Sequence, residues 1–236
     1  MFSESSIILV PWDPDSPEHF ERLKQQRIVC GWKVEAVDSW AELQRKGVIG
    51  MHWIVLSPTN PLTADRLLKH TTAYPKESIP LRDSSQRILS RAHMPNAELS
   101  TFLPIGHISL DSWTSDPDLK TSAANGIYSI MCFYISRVLQ NGGLGAAALA
   151  SCEQMAVVDL GAKTITLNTI GNEECLPNNP RRIAMGKTNI PKPTNEDWYT
   201  HRGYKSYFRK NDAWFDTDPT GKKWGVTSAF LRKDLV

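Results

Sequence analysis

The stretch VLQNGGLGAAALASCEQMAVVDL, residues 138–160, sets three glycines within four positions directly ahead of a run rich in alanine and leucine. Glycine lets a backbone come close to a ligand, and the first turn of a helix offers N–H groups without intrahelical partners, backed by the positive end of the helix dipole. Anions, and phosphates above all, bind such places. A plain loop running into a helix is the alternative, and both need a real helix to follow. One is predicted here. Gly145, Leu149, Cys152, Ala156 and Leu160 fall on one stripe at three- and four-residue steps, and Gly161 supplies the stop.

Three phosphate-binding patterns can be tested on these residues. A P-loop requires G-x-x-x-x-G-K-[ST], and the one GKT, at Gly186 to Thr188, has Arg181 where the first glycine belongs. That pattern fails. A dinucleotide fingerprint is closer, since Gly143, Gly145 and Ala148 satisfy G-x-G-x-x-A after a strand. It also needs an acidic residue at the end of the next strand to hold the ribose, where this chain has Asn168, Thr169 and Ile170.

The elements that must position the glycines follow from the rest of the chain. With 236 residues, 41% apolar and 22% charged, it can bury one substantial core, and a single domain over residues 1–236 is expected. SIILVPWD is predicted to be a strand, after which Ser16 caps a helix that starts at Pro17 and ends at Gly31. A second helix over residues 37–46 leads into the strand MHWIVLSP. Between 57 and 100 the pattern dissolves into a polar, proline-bearing elaboration, with short helices expected around Ala64 to His70 and Ser85 to Arg91. FLPIGHISLDSW and GIYSIMCFYIS are strand candidates separated by the turn-rich TSDPDLKTSAANG. The glycine stretch, its helix and the strand KTITLNTI then form a right-handed parallel crossover. A last helix in TNEDWYTHRGY precedes a hairpin from KSYFRKNDAWFDTD across PTGKK to WGVTSAFLRK.

Composition also excludes functions. A formal charge of +2, from 27 basic and 25 acidic residues, is too small to make nucleic acid or an anionic membrane the main partner. Basic runs such as HRGYKSYFRK read as solvated edges. Cys30, Cys132, Cys152 and Cys175 form no C-x-x-C pair, so neither a zinc site nor a disulfide framework is indicated, and no metal is expected. The opening MFSESSIILVPWD lacks the basic flank and long apolar run of a secretory signal. A cytoplasmic location is expected, and composition does not set the nucleus apart from it.

Gln140, Gly143 and Gly145 also match the signature [RQ]-x-x-G-x-[GA], with Ile135 five residues upstream in a strand position. EDWYTHRGYKSY adds an aromatic pair, Trp198 and Tyr199, then three residues, then Gly203 and Tyr204. In these two motifs and in its order of elements the chain resembles the GNAT superfamily of acyl-CoA-dependent N-acetyltransferases. The resemblance implies an α/β (α+β) fold, a GNAT-like mixed central sheet of about seven strands flanked by about four helices. Residues 57–100 would be an insertion where members often have a tight hairpin. Residues 171–193 would be a second one, displacing the asparagine often found before the aromatic pair, for which Asn195 is a stand-in.

The resemblance further implies acetyl-CoA as co-substrate. Its pyrophosphate would be held by backbone N–H groups of Gln140, Asn141, Gly142, Gly143, Leu144, Gly145 and Ala146. The pantetheine arm would lie in a splay between parallel strands, with strand-like hydrogen bonds to Phe133, Tyr134 and Ile135, and the Ile135 N–H would stabilise the oxyanion as an amine attacks. Direct transfer needs no enzyme nucleophile. Tyr199 is then the acid for the departing thiolate, its plain alternative being a packed tyrosine with its hydroxyl at the surface. No base is assigned: IYSIMCFYIS carries no carboxylate, and His107 and Asp111 on the preceding strand are candidates beside a structural role. The turn at Gly31, Trp32 and Lys33 and the two insertions are expected to meet the substrate, a small-molecule or peptide primary amine. Oligomeric state is left open. The rival reading is a catalytically silent CoA-binding and protein-interaction module, followed by a dinucleotide-dependent oxidoreductase.

Overall fold

The computed structural model describes residues 6–96, 99–189 and 192–236; MFSES and the pairs 97–98 and 190–191, which belong to the two expected insertions, lie outside the described residues. The chain clusters into two compact units, residues 1–113 with 130–162, and residues 114–129 with 163–236.

The first unit starts with β1 (Ile7–Pro11). The Ser16 hydroxyl accepts from the His19 N–H and caps α1 (Pro17–Cys30), which Gly31 terminates in the left-handed conformation. His19 then ties three elements together. Its Nδ1 accepts from the Asp13 N–H and the Trp53 indole N–H, both at 3.0 Å, so Nε2 carries the proton and donates to the Arg82 carbonyl at 2.8 Å. After α2 (Val37–Arg45), the wholly buried β2 (Met51–Leu56) pairs antiparallel with β1, Ile7 opposite Leu56.

Segment 57–100 holds α3 (Thr63–Ala73), longer than the helix expected over Ala64 to His70. The helix expected over Ser85 to Arg91 is absent. After β3 (Leu81–Arg82) the chain there forms a tight hairpin of β4 (Arg87–Ile88) and β5 (Arg91–Ala92). Leu89 is left-handed in its turn, and burial of that side chain together with a 2.8 Å bond from the Ser85 hydroxyl to the Arg87 carbonyl opposes a helix. β3 pairs with β6 (Thr101–Phe102), and Leu81, Leu99 and Phe102 enter one core cluster with Val10, Trp12, Leu23 and Trp53. Parts of the elaboration are therefore structural core.

β7 (Pro104–Ser109) pairs antiparallel with β2. The strand expected over GIYSIMCFYIS is broken into β8 (Ile127–Ile130) and β9 (Phe133–Ile135), and only β9 pairs with β7, giving the order β1-β2-β7-β9. Ser109 accounts for the break. Its hydroxyl accepts from the Met131 and Cys132 N–H groups at 3.3 and 3.1 Å, while its own N–H donates to the Cys132 carbonyl at 2.8 Å. The unit ends with α4 (Leu144–Leu160), which buries Leu144, Ala148, Leu149, Cys152 and Ala156. The predicted stripe thus holds at its centre, and its ends, Gly145 and Leu160, are half-buried.

The second unit is built on β8, β10 (Thr164–Ile170), α5 (Pro180–Ala184), α6 (Asn195–Thr200), β11 (Lys205–Thr217) and β12 (Lys223–Asp234), with sheet order β11-β12-β10-β8. The Gly126 carbonyl accepts from the Thr164 N–H and the Tyr128 carbonyl from the Thr166 hydroxyl, so β8 and β10 advance together and lie parallel. β10–β12 and β11–β12 are antiparallel. Counting β8 and β9 as one broken strand, the principal strands match the expected number, paired among the described residues as two four-stranded sheets. Segment 171–193 is anchored within this unit: buried Arg181 donates to Glu174 at 3.0 Å and to Asp216 at 2.5 Å.

Candidate active site

Beyond β9 the chain makes a single 3-10 turn over Arg137–Leu139, straightens at Gln140, and becomes left-handed at Asn141 (φ 64°) and again at Gly143 (φ 80°) before α4 begins. The first bond of that helix runs from the Ala147 N–H to the Gly143 carbonyl at 3.1 Å. Among the described residues, nothing accepts a hydrogen bond from the N–H groups of residues 141–146. Gln140, Asn141, Gly142 and Gly143 are exposed, and a Cβ on Gly143 would meet nothing within 4 Å, so the glycine serves its backbone angle and leaves open space before it. A row of unpaired donors at the start of a 17-residue helix is a site of positive potential suited to an anion.

The adjoining strand is arranged to work with this cradle. The Ser136 N–H donates to the Ile105 carbonyl at 2.7 Å, and the register sets Gly106 opposite Ile135 and His107 opposite Tyr134. An antiparallel ladder alternates, so Tyr134 bonds β7, while the backbone groups of Phe133 and Ile135 point to the outer edge of the sheet. Of the three residues expected to make strand-like bonds, Phe133, Tyr134 and Ile135, the first and third have their backbone groups directed to that edge. Gly106 makes the pairing possible, since a Cβ there would lie 2.1 Å from the Tyr134 carbonyl oxygen. Gln140 closes the arrangement by donating from Nε2 to the Ile135 carbonyl at 3.1 Å. Cradle and edge therefore come together inside the first unit.

His107 and Asp111 are core residues. His107 Nδ1 donates to Gln26 Oε1 at 2.9 Å, and its Nε2 accepts from Arg27 Nη1 at 3.2 Å. Burial first, and the Arg27 charge second, hold His107 well below the usual histidine range, so the ring is neutral. Burial pushes the Asp111 carboxyl up to about 8, against a bond from the Gly50 N–H at 3.4 Å. Both serve the interior of the first unit. At the expected substrate turn, Gly31 and Lys33 are left-handed, and Trp32 is 42% exposed with its carbonyl accepting from the Arg27 guanidinium.

The same interior holds residues that sequence reasoning missed. Gln26 Nε2 donates to Glu77 Oε2 at 2.8 Å, that oxygen lies 3.4 Å from His70 Nε2, and His70 Nδ1 meets the Ser136 hydroxyl at 2.9 Å. His70 and Ser136 stand 66 residues apart, so no local pattern announces them.

Tyr199 belongs to the second unit. Thr194 caps α6 by accepting from the Asp197 N–H, and the half-buried Tyr199 ring packs edge-on against Trp198 and Tyr204 at centroid distances of 5.0 and 5.5 Å. Arg202 lies over the Trp198 ring at 3.7 Å. The side-chain bonds at the helix start come from Asn172, which joins Thr194 and Asp197, while Asn195 is exposed. Among the described residues no group of three or more metal-binding side chains is assembled, and no helix is long and apolar enough to cross a membrane.

No protein-family model matches the sequence, and no curated protein matches it. Solved structures do. A spermidine N-acetyltransferase chimera from Vibrio cholerae matches with a TM-score of 0.55 at 8% identity, over 98% of this chain and 96% of that one. An aminoglycoside 6′-N-acetyltransferase complexed with coenzyme A gives 0.52 at 10% identity over 97% of each chain. An Arabidopsis thaliana protein in complex with a bisubstrate analogue gives 0.51 at 14% identity over 97% of this chain and 98% of that one. Agreement along nearly the whole chain at such identities is a likeness of architecture, and by it this protein has the fold of the GNAT N-acetyltransferases.

Proposed function

We propose that this protein is an acetyl-CoA-dependent N-acetyltransferase acting on a primary amine by direct attack in a ternary complex, with residues 1–236 serving as one catalytic domain. The observation that carries the reading is the row of N–H groups over residues 141–146, without acceptors, at the start of α4. Acetyl-CoA, when bound, supplies the thioester and an anionic pyrophosphate. Asn141, Gly142, Gly143, Leu144, Gly145 and Ala146 hold the pyrophosphate, while Gln140, expected to join them, has its N–H on the Arg137 carbonyl at 3.4 Å and braces the turn instead; Phe133 and Ile135 hold the pantetheine arm with Tyr134 between them. The Ile135 N–H donates to the thioester oxygen, where charge develops as the amine adds. Tyr199 gives a proton to the departing sulfur. The acceptor is a small-molecule or peptide amine; similar structures include enzymes named for aminoglycosides and for spermidine.

Calorimetric titration with acetyl-CoA and, separately, NADH tests the reading, followed by thiol release across a panel of polyamines, aminoglycosides and peptide amines. Acetyl-CoA should bind, NADH should not, and at least one amine should release thiol. Binding of acetyl-CoA with no amine turned over would instead identify a silent CoA-binding module. Binding of neither ligand would overturn both.

A further inference from the structure

An alkylammonium with a pKa near ~10 must lose a proton before it can attack, and the strand beside the cradle offers no carboxylate to take it. The first unit carries an alternative on its buried side. Ser136 directly follows Ile135, and its hydroxyl meets His70 Nδ1 at 2.9 Å. The other imidazole nitrogen faces Glu77 Oε2 at 3.4 Å, and Gln26 Nε2 holds that oxygen at 2.8 Å. His70 lies on α3 and Glu77 in the short 3-10 turn Pro75–Glu77, so both come from segment 57–100. All three are 0–2% exposed. A buried carboxylate, imidazole and hydroxyl thus stand in sequence, ending next to the proposed oxyanion donor. The His70 Nε2 makes no hydrogen bond, so Glu77 faces the imidazole as a nearby carboxylate rather than as a hydrogen-bonded partner.

We propose that Ser136, His70 and Glu77 form a proton relay that takes the ammonium proton of the acceptor, an inference that rests on the acetyltransferase reading. In this proposal the amine attacks a carbonyl held by the Ile135 N–H, one residue and ~3.8 Å of Cα spacing before Ser136, and its proton reaches the buried Ser136 hydroxyl through an intervening water. Ser136 accepts the amine's proton as its own passes to His70 Nδ1, and the imidazolium formed is balanced by the Glu77 carboxylate. The freed lone pair forms the C–N bond, the C–S bond breaks, the sulfur takes a proton from Tyr199, and the second nitrogen proton leaves to water. Ser136 is the relay's entry, and His70 and Glu77 act through it as positioning residues. The other titratable or charged groups around the relay are Arg22, Arg27 and Cys30 from α1, Tyr74 just after α3, and His107 and Tyr134 from the sheet.

Glu77→Gln keeps size and the bond from Gln26 but removes the charge; Ser136→Ala removes the entry and stands in should the first variant not fold. With the best amine from the panel, each folded variant should lose at least ~100-fold in kcat while the acetyl-CoA Kd stays within about twofold. The deficit should shrink as pH rises towards ~10, where solvent supplies neutral amine without help. A rate within about threefold of the parent, or a deficit equal at every pH, overturns the relay in favour of a packing role. Wild-type protein that binds acetyl-CoA yet acetylates no amine also overturns it, whereas failure to bind acetyl-CoA defeats the acetyltransferase reading itself.

Discussion

Gly143 combines two properties that substitutions can separate. Its φ of 80° makes any side chain strained, and the open space before it makes any charge there felt by a bound anion. Gly143→Ala should cost roughly 1–2 kcal/mol of stability in urea unfolding and leave most of the acetyl-CoA affinity. Gly143→Asp carries the same strain and sets a carboxylate against the pyrophosphate, so calorimetry should show affinity lower by on the order of 100-fold or more. Equal affinities for the two variants would remove the cradle from the site. For Tyr199→Phe, packing against Trp198 and Tyr204 survives and only the hydroxyl is lost. Turnover should fall by about 100-fold with cofactor affinity nearly unchanged, and an undiminished rate would take Tyr199 out of the mechanism.

At the scale of elements, the cradle depends on where β9 stands. Gly106 lets β7 and β9 approach, since a Cβ there would sit 2.1 Å from a backbone oxygen that cannot rotate away. Gly106→Ala should therefore destabilise the protein by ~3 kcal/mol or more and speed amide exchange in β9 ahead of α4. Stability within ~0.5 kcal/mol of the parent would mean that the ladder tolerates displacement and does not position the edge. Several elements were legible in advance because their signals are local. Ser16, Pro17 and Gly31 bracket α1, and Gly161 ends α4, each acting through neighbours within one helical turn. The hairpin at residues 87–92 was misread as helix because its left-handed turn falls on Leu89, a residue type that gives no turn signal.

Across the molecule, pH acts through buried groups of the first unit, with opposing signs. His52, held at about 4 by burial, is neutral when folded, whereas the unfolded chain takes up a proton below ~6.5. His107 behaves in the same sense. For both, the unfolded state binds more protons, so their contribution is present above ~6.5 and is lost as pH falls towards the folded value. Asp111 runs the other way. Raised to about 8, it keeps a proton that the unfolded chain releases above ~3.9, so its contribution is present at low pH and is lost as pH rises through about 8. Asp111→Asn should consequently gain stability relative to the parent between pH 5 and 8, read as a rising difference in urea midpoint. A difference independent of pH would place an ionised carboxylate at that position.

The sequence by itself determined what lies within a few residues of chain: the glycine turn before α4, the helix it opens, and the aromatic contacts of Trp198, Tyr199 and Tyr204. Backbone angle, capping and helix dipole are properties of neighbouring residues, so Gln140, Gly143 and Gly145 could be read in place. Tertiary structure alone decided which backbone groups of β9 face the open edge, because that depends on a register with β7 some thirty residues earlier. It also decided that Ser109 breaks the long strand, that His107 is sealed under Arg27, and that His70 stands between Ser136 and Glu77. A buried polar group must find a partner, but burial brings distant segments together, and nothing in the local spacing of types states which they will be.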